Sequence, residues 1–412
     1  MKKVMILGAA LGQVPFIEIC KSRGYTVLVV SPQGDYPGFR IADKSYFLDS
    51  RDKEGILKIA QMEKIDAIMS DQTDVSIPSV AYVSEKLGLK SIGYETSKYF
   101  SNKYFMREKA RAVGIDVPDF RRATTLQEAK AALAEIGFPA MIKPVDSSGS
   151  RGVYKISSLG ELEKHFDYAI SFSADKSIIV EQFIRGTEYI ANGVALDFQY
   201  INTDLGIKEQ FDKKGQFISS MCMFISTPLV TNPLEQAVLD VNKRLVEKFC
   251  LPFGITHGEY IVSSEDKKVY LVEIAARGGG VFLSSDLTLQ ACGINTNELL
   301  IDYVVEDKSA QLNKLLPTKG VAAYKCFELK PGVIKNIINK EKLSDIQGVF
   351  KVFLDDLYVG KTVDEMLNDA SKLGPILIKA KTRAECYQII ETIKNTFYIT
   401  VDSSGVETDI VW

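Results

Sequence analysis

The first hundred residues alternate between short apolar runs and segments with helical periodicity. The apolar runs, each about the length of one buried strand, are residues 3–8, 25–31, 45–49 and 66–70. The helical patterns follow the first run as far as residue 23 and then occupy residues 52–63 and 75–87. Regular alternation of strand and helix predicts a parallel sheet flanked by helices, which is an α/β fold.

The pattern after residue 95 is less regular. The predicted helices are residues 95–112, 126–136, 159–170, 233–249 and 383–394. The predicted strands are residues 139–143, 153–157, 178–184, 187–196, 321–328, 350–353 and 376–380, with further short β-segments as far as residue 275. The mixture in the last hundred residues is typical of a small α+β unit.

Composition narrows the class of protein. The 412 residues are enough for two or three domains, and 46% hydrophobic with 25% charged residues is a globular profile. A net charge of −3 argues against a general binder of nucleic acid or membrane surfaces. No apolar stretch approaches the roughly 18 residues that a membrane span needs, so we expect no membrane association.

The cysteines and the N-terminus indicate a cytoplasmic protein. Six scattered cysteines without a CxxC motif predict that the thiols stay reduced. The first residues resemble a short signal peptide, but Gln13, Pro15 and Glu18 interrupt the apolar run early. We therefore expect a cytoplasmic location.

The strongest chemical feature is a pair of glutamates, Glu259 and Glu273, around a polar turn at residues 264–268. A hairpin centred near Asp266 places the two glutamates opposite each other, and their even spacing puts both side chains on one face. Like charges about 5 Å apart repel each other, and a divalent cation removes that repulsion. Oxygen ligands favour Mg²⁺ or Mn²⁺. From the hairpin alone, a metal site and a solvent-facing pair of glutamates are equally good interpretations.

Only two histidines are present, His165 and His257, which disfavours zinc chemistry and histidine-based triads. His257 lies two residues before Glu259, on the same strand face if the strand is regular. Contact with substrate or with a metal-bound water is one interpretation of His257. A structural histidine with ordinary hydrogen bonds is the other.

A basic residue and a run of glycines follow the second glutamate. These residues are Arg277, Gly278, Gly279 and Gly280. A guanidinium can hold a phosphoryl or carboxylate group with two parallel hydrogen bonds. Consecutive glycines allow backbone amides to approach an anion closely. The alternative is a flexible turn that carries a surface arginine.

Two lysines and a loop of small residues suggest phosphate binding. Lys143 ends an apolar strand, and the loop at residues 147–152 follows it, with Ser148, Gly149 and Ser150 at its centre. Small residues with many backbone donors suit a cover over phosphates, although the Walker A motif is absent. Lys103 is a candidate second phosphate-binding cation. The alternatives are a mobile polar turn and a solvated helix lysine.

A strand end further along the chain suggests a nucleotide hinge. Its residues are Glu181, Gln182, Phe183 and Ile184, and Glu188 follows after a short linker. Backbone N–H and C=O groups at such a hinge can pair with the edge of an adenine, and a carboxylate can accept from ribose hydroxyls. Taken alone, an ordinary strand end is the simpler interpretation.

Taken in order, these elements resemble the ATP-grasp superfamily, and in particular its carboxylate–amine ligase branch, which includes relatives of biotin carboxylase and carbamoyl phosphate synthetase. The resemblance covers nearly the whole chain and ends in the motif EIAARGGG at residues 273–280. It implies a pre-ATP-grasp α/β domain at residues 1–101, an ATP-grasp domain at 102–310 and a C-terminal α+β subdomain at 311–412. A mobile lid would span about residues 113–187.

The resemblance also implies roles for the residues above, with ATP and Mg²⁺ or Mn²⁺ as cofactors. Those implied to bind the nucleotide are Lys103, Lys143, Ser148, Gly149, Ser150, Glu181, Gln182, Phe183, Ile184 and Glu188. Those implied to hold the metal are Glu259 and Glu273. Lys143 and Arg277 would act in catalysis, while His257, Gly278, Gly279 and Gly280 would face the substrate.

The implied reaction makes an acyl phosphate from a small-molecule carboxylate and then an amide from an amine. Relatives are commonly homodimers, so a second copy of the chain is a candidate partner. Two positions depart from the pattern: Ala275, where many relatives have a metal-binding asparagine, and Asn102, where an aspartate is frequent.

Two other classes of function remain open at this point. Ala275 allows a nucleotide-binding module without catalysis. A dinucleotide-dependent oxidoreductase would use the turn GAALG at residues 8–12, but this turn lacks the GxGxxG fingerprint.

Overall fold

The computed structural model describes residues 1–211 and 218–412, and the strands of this part form four sheets. The strands are β1 Lys3–Leu7, β2 Thr26–Ser31, β3 Lys44–Phe47, β4 Ala67–Met69, β5 Phe120–Ala123, β6 Ala140–Pro144, β7 Tyr154–Ile156, β8 Ile178–Gln182, β9 Gly186–Leu196, β10 Gln199–Gln210, β11 Ser219–Ser226, β12 Gly254–Ser263, β13 Val269–Ala275, β14 Val321–Phe327, β15 Gly332–Ile338, β16 Val349–Val352, β17 Thr362–Val363, β18 Leu373–Ala380, β19 Tyr398–Ser403 and β20 Val406–Thr408.

Helices connect and cover these sheets. The α-helices are α1 Val14–Ser22, α2 Pro37–Ile41, α3 Lys53–Glu63, α4 Ile77–Leu87, α5 Tyr94–Tyr99, α6 Lys103–Ala112, α7 Leu126–Ile136, α8 Leu159–Ser171, α9 Pro233–Lys248, α10 Thr288–Cys292, α11 Thr296–Glu306 and α12 Arg383–Thr396. Short 3-10 turns occur at Leu11–Gln13, Thr227–Leu229, Leu312–Lys314, Glu341–Asp345 and Asp369–Ser371, and a π-helical turn at Leu283–Leu287.

The N-terminal sheet is parallel, with strand order β3-β2-β1-β4. Its inner strands are buried on both faces because helices cover the two sides, as their continuous apolar runs require. All four predicted strands and the helices at 52–63 and 75–87 lie within three residues of their expected limits. The predicted α/β fold of this region is confirmed.

The predicted single helix at residues 95–112 is wrong, because the structure divides it into α5 and α6. Asn102 has extended backbone angles and caps α6, since its side chain accepts hydrogen bonds from Tyr104 N at 3.0 Å and Phe105 N at 3.3 Å. Asparagine and aspartate cap helices about equally well, so the departure at this position is structurally neutral. The break puts Lys103 in the first turn of α6.

The second sheet is antiparallel and has the order β5-β8-β6-β7. Its apolar face packs against α7 and α8, which supply Leu133 and Phe166 to a separate small core. All of its strands lie inside the predicted lid at residues 113–187. The limits of the lid and of the three predicted domains stay predictions.

The largest sheet has eight strands in the order β13-β12-β9-β10-β11-β14-β18-β16. Adjacent strands are antiparallel, and α9 packs over β9, β10, β12 and β13. The last three strands of the order come from beyond residue 311, so the C-terminal part of the chain continues the sheet that carries the glutamate hairpin. A fourth sheet, β17-β15-β19-β20, lies beside it.

None of the helices in the described ranges has the length and apolar composition that crossing a bilayer requires. The longest, α9, has 16 residues, fewer than the roughly 20 that span a bilayer.

The burial of Lys325 in this sheet can be tested by its effect on stability. Lys325 is 3% exposed in the middle of β14, between Met221 of β11 and Ile376 of β18. Burial and the charge of Lys394 lower its pKa to about 8, although Glu209 and Glu391 act in the opposite direction. The unfolded chain keeps this lysine protonated to about pH 10.4, so stability rises with pH between these two values.

We expect Lys325→Met to be more stable than the wild type at pH 7, by about 2 kcal/mol, because it removes the cost of a buried ammonium group. The difference should shrink as the pH rises through 8 towards 10. Urea unfolding of both proteins at pH 7 and pH 9.5 measures this. An equal difference at the two pH values would contradict it.

Candidate active site

The hairpin of β12 and β13 places Glu259 directly opposite Glu273, as predicted. A β-bulge is responsible. The strands pair Val262 with Val269 and Tyr260 with Leu271, and the register then shifts by one residue at Val272. Without the bulge, Glu259 would face Val272 and not Glu273. Bulges commonly re-aim side chains in this way beside functional sites.

The two carboxylates are each neutralised by a lysine. Glu273 Oε1 lies 2.8 Å from Lys103 Nζ, and Glu259 Oε2 lies 3.6 Å from Lys208 Nζ. The charge of Lys208 holds the pKa of Glu259 far below its usual range, so this carboxylate is ionised. Two neighbouring carboxylates form a donor set that suits a hard divalent cation.

Within residues 1–211 and 218–412 no cluster of three or more His, Cys, Asp and Glu side chains could hold a metal ion. The protein therefore offers a cation two carboxylates, and phosphate or water oxygens would supply the remaining ligands. This is how Mg²⁺ is usually held beside a nucleotide.

A cavity of about 480 Å³ lies between the eight-stranded sheet and the β5-β8-β6-β7 sheet of the predicted lid, which is called the lid sheet below. The cavity is large enough for a nucleotide. All the residues that the sequence analysis assigned to nucleotide and metal line it: Lys103, Lys143, Ser148, Gly149, Ser150, Glu181, Gln182, Phe183, Ile184, Glu188, Glu259 and Glu273. Their roles towards bound molecules stay predictions.

The side chain of Glu181 is buried inside the protein and does not face the cavity as a free group. Its Oε1 lies 2.6 Å from Arg107 Nε and its Oε2 lies 2.7 Å from Lys143 Nζ. Burial by itself would raise its pKa, but the two cations lower it to about 2. Glu181 can therefore meet an adenine only through its backbone, and its carboxylate orients Lys143.

Arg107 is a site residue that the sequence did not reveal. It is 0% exposed, and its Nη2 donates to Val272 O, the bulge residue, at 2.6 Å. Because α6 contains many charged residues, the sequence suggested that Arg107 was exposed to solvent. Only the tertiary contacts with Glu181 and Val272 distinguish it from Arg111 on the same helix.

The hinge has one free backbone donor. Gln182 N donates to Asp119 O at 2.8 Å and Phe183 N to Pro139 O at 3.3 Å. The amide of Ile184 makes no hydrogen bond to any described residue. It lines the cavity, so it is the candidate donor to an adenine edge.

Glu188 belongs to a row of charges across four neighbouring strands. Lys208 on β10, Glu188 on β9, Glu259 on β12 and Glu273 on β13 share one face of the sheet. Lys208 Nζ lies 3.2 Å from Glu188 Oε2, and Gln210 Nε2 donates to Glu188 Oε1 at 3.0 Å. Lys208 could not be predicted from the sequence, because β10 carries many polar residues and a lysine among them gives no local signal.

Two hydrogen bonds hold the loop at residues 147–152 in position beside the cavity. Ser147 O accepts a hydrogen bond from Lys103 Nζ at 2.8 Å. Ser150 Oγ donates to Asp369 Oδ2 at 3.2 Å, which connects the loop to the C-terminal part of the chain. Asp369 was also missed, because nothing in its local sequence indicates a contact 219 residues away.

A second, smaller cavity of about 110 Å³ adjoins the first at the two glutamates. His257, Arg277, Asp74 and Ala275 line its far side. Arg277 Nη2 lies 2.7 and 2.8 Å from the two carboxylate oxygens of Asp74. Asp74 follows β4 at the carboxyl end of the parallel sheet, which is where such sheets place functional residues.

The prediction that the glycines offer amides to a substrate is wrong for Gly278. Its N–H donates to Asp71 Oδ1 at 3.0 Å, inside the protein. A Cβ on Gly278 would lie 2.3 Å from Ser284, and a Cβ on Gly279 would lie 2.7 Å from His257 Nδ1. Close packing is therefore the reason for these two glycines, whereas Gly280 is exposed with nothing within 4 Å.

His257 is held in one orientation by a buried chain of polar groups. Its Nδ1 lies 2.8 Å from Asn192 Oδ1, and Asn192 Nδ2 donates to Asp204 at 2.6 Å. Nε2 then points to Glu259 Oε1 at 3.6 Å. The structural interpretation of His257 is therefore confirmed. Contact of its Nε2 with a substrate or a metal-bound water in the small cavity stays a prediction.

A nucleotide-sized cavity under a small-residue loop, paired carboxylates at its end and a guanidinium beyond them define the site of a phosphoryl-transfer enzyme. Comparisons with known proteins identify one domain of the chain. Residues 136–285 match the model of the ATP-grasp domain, so this segment is an ATP-grasp domain. The similarity of the chain to carboxylate–amine ligases sets the oxidoreductase alternative aside.

Two of the similar proteins are amino acid ligases that the match covers over most of their length. The chain is 26% identical to an L-arginine-specific L-amino acid ligase of Bacillus subtilis over 84% of this chain and 83% of that protein. Its fold matches an L-amino acid ligase of Bacillus licheniformis with a TM-score of 0.81 at 20% identity, over 98% and 99% of the two chains.

A third match is the biotin carboxylase domain of the Hydrogenobacter thermophilus 2-oxoglutarate carboxylase, solved with MgADP and bicarbonate. The TM-score is 0.71 at 15% identity, over 99% of this chain and 91% of that one. The likeness extends along the whole chain and concerns the fold.

The buried Arg107 gives a stability test. Arg107→Met leaves Glu181 buried with only Lys143, so we expect the free energy of unfolding to fall by about 3 kcal/mol. Arg111→Met on the same helix removes an exposed pair with Asp119, whose atoms are 3.7 Å apart, and a contact with the ring of Phe120, and should cost about 1 kcal/mol or less.

Urea unfolding of the two variants provides the comparison. The double variant Arg107→Met with Glu181→Gln should recover part of the loss, because it no longer buries an uncompensated charge. Equal stability of Arg107→Met and Arg111→Met would contradict the role given to Arg107.

Proposed function

We propose that the protein uses ATP to activate the carboxylate of an amino acid as an acyl phosphate and then joins it to the amine of a second substrate. The observation that carries this proposal is the meeting of two cavities at Glu259 and Glu273. One cavity has the size of a nucleotide, and the other has room for a carboxylate beside a guanidinium. The phosphoryl group would pass from ATP in the first cavity to the carboxylate in the second at this junction.

The contacts support a consistent placement of ATP. Ile184 N–H would pair with the adenine edge, and Glu188 would accept from the ribose hydroxyls. Lys103 and Lys143 would hold the phosphates, under a cover formed by residues 147–152. This placement uses the amide of Ile184, which is unpaired within the described residues, and the lysines of the cavity. It keeps the contacts of the Glu181 carboxylate with Arg107 and Lys143.

Magnesium fits the donor set at the junction, and Glu259 and Glu273 would hold it together with phosphate oxygens. The bound cation would offset negative charge on the phosphates. Ala275 lines the small cavity without offering an oxygen, so a water would take the place of the asparagine that many relatives have. Manganese satisfies the same ligands.

The chemistry balances in two steps. A carboxylate oxygen attacks the γ-phosphorus of ATP, the bond to the β–γ bridging oxygen breaks, and ADP leaves. An uncharged amine nitrogen then attacks the acyl carbon, the bond to the phosphate oxygen breaks, and the amine proton leaves with the phosphate as HPO₄²⁻. No covalent bond to the protein forms, so the work of the protein is positioning and charge neutralisation.

The position of Arg277 supports a role in binding the acyl phosphate. Its guanidinium lines the small cavity and is held by Asp74 at one edge, which leaves other donors for a phosphoryl or carboxylate oxygen. His257 Nε2 faces the same space. The amino-acid class of the substrate rests on the similarity to the L-amino acid ligases, and a second copy of the chain remains a candidate partner.

Glu273→Gln tests the metal assignment. With magnesium, ATP and a panel of amino-acid pairs, the wild type should release ADP only when an acid and an amine are both present. Glu273→Gln should lower kcat by about 100-fold or more, because it removes one of two carboxylates at the phosphoryl junction. A coupled ADP assay measures both.

Glu265→Gln is the matched control, since it lies in the exposed turn of the same hairpin and should keep full activity. Binding of Mn²⁺ in the presence of ADP, followed by electron paramagnetic resonance, should weaken about tenfold in Glu273→Gln only. Turnover of Glu273→Gln within about threefold of the wild type would refute the assignment.

A further inference from the structure

Lys208 stands at the junction of the two cavities. We propose that its ammonium group binds the transferred phosphoryl group as this group passes from ATP to the substrate carboxylate. The proposal rests on the function proposed above and adds a catalytic residue that neither the motifs nor the comparisons assign.

The first argument is position. Six residues line both cavities, and they are Ser148, Gly149, Ser150, Lys208, Glu259 and Glu273. Lys208 is the only basic residue among these six. A phosphoryl group that crosses from one cavity to the other passes the side chains of this set, so Lys208 is the cation it meets on the way.

The second argument is a parallel with Lys103. Each candidate metal ligand has one lysine partner: Lys103 Nζ is 2.8 Å from Glu273, and Lys208 Nζ is 3.6 Å from Glu259. A divalent cation held by both carboxylates would take over the role of counter-charge. Both ammonium groups would then be available to phosphate oxygens.

The third argument is charge. The substrate carboxylate and the γ-phosphoryl group are both anions, and their approach needs cations that act in the transition state. Arg277 lines the small cavity but not the nucleotide cavity, whereas Lys208 lines both. Lys208 is therefore the cation that can contact the phosphoryl group on both sides of the junction.

The fourth argument is rigidity. Lys208 lies on β10 inside the largest sheet, its side chain is 13% exposed, and Glu188 holds its Nζ at 3.2 Å. Site groups on strands are positioned more accurately than those on loops. Lys208 forms no covalent bond in the reaction. It donates hydrogen bonds to the phosphoryl oxygens while the bond to ADP breaks and the bond to the carboxylate forms.

The test compares two nucleotides, since only one of them carries the group that Lys208 is proposed to bind. Calorimetry with Mg·ATPγS and Mg·ADP is carried out on the wild type, Lys208→Met and Lys208→Arg. Lys325→Met is the matched control, a buried strand lysine that lines neither cavity. ADP release with saturating substrates gives kcat for all four proteins.

We expect Lys208→Met to lose about tenfold in affinity for Mg·ATPγS, to bind Mg·ADP within about threefold of the wild type, and to lose about 100-fold in kcat. Lys208→Arg keeps the charge and should bind both nucleotides within about threefold. Its kcat should fall about tenfold, because a guanidinium presents its donors differently. Lys325→Met should behave as the wild type.

An equal loss for both nucleotides in Lys208→Met would reduce Lys208 to a structural counter-charge and overturn the proposal, as would an unchanged kcat. If circular dichroism shows that Lys208→Met does not fold, Lys208→Arg decides, and wild-type kcat in that variant overturns the proposal. A wild type that releases no ADP with any pair of substrates refutes the ligase proposal. The nucleotide comparison then still decides whether Lys208 binds the γ-phosphoryl group.

Discussion

The geometry of the site depends on one buried guanidinium. Arg107 bonds to Glu181 in the lid sheet at 2.6 Å and to the carbonyl of Val272 in the glutamate hairpin at 2.6 Å, while its own helix begins at Lys103. A buried charge without partners would cost several kcal/mol, so these three segments hold a fixed spacing. The distance from Lys103 to Glu273 follows from this spacing.

The same interaction supports the bulge. Val272 is the residue that the hairpin leaves unpaired, and a bulged residue loses part of its ladder of hydrogen bonds. Arg107 supplies a charged donor to its carbonyl and so offsets that loss. The bulge aligns the glutamates, and the Arg107 guanidinium stabilises the bulge. Arg107 therefore fixes the relative positions of α6, β8 and the hairpin of β12 and β13.

Charge balance is the second principle of the site. Lys103, Lys143, Lys208 and Arg277 each have a carboxylate partner, which is Glu273, Glu181, Glu259 and Asp74 respectively. Each cation is thus neutralised in the protein alone. ATP and a divalent metal bring charges of both signs, so binding would exchange partners within the set without leaving a buried charge uncompensated.

Local patterns in the sequence predicted the N-terminal sheet and the residues of the hairpin, because turns and strand periodicity are local properties. The opposition of Glu259 and Glu273 was predicted from a regular hairpin, yet the structure reaches it through a bulge that no pattern signals. Arg107, Lys208 and Asp74 could not be found, since their partners lie 20 or more residues away in the chain and only tertiary packing selects them.

The small cavity is closed by three separate parts of the chain. Asp74 comes from the N-terminal sheet, Ser150 from the loop of the lid, and Asp369 from the C-terminal part, and the last two are joined by a hydrogen bond of 3.2 Å. An acyl phosphate is destroyed by water, so a ligase must exclude water while the amine approaches. A loop over the nucleotide cannot do this for a cavity whose far wall is formed by Arg277 and Asp74. The contact between the loop at residues 147–152 and the C-terminal segment would therefore help to keep water from an acyl phosphate in the small cavity.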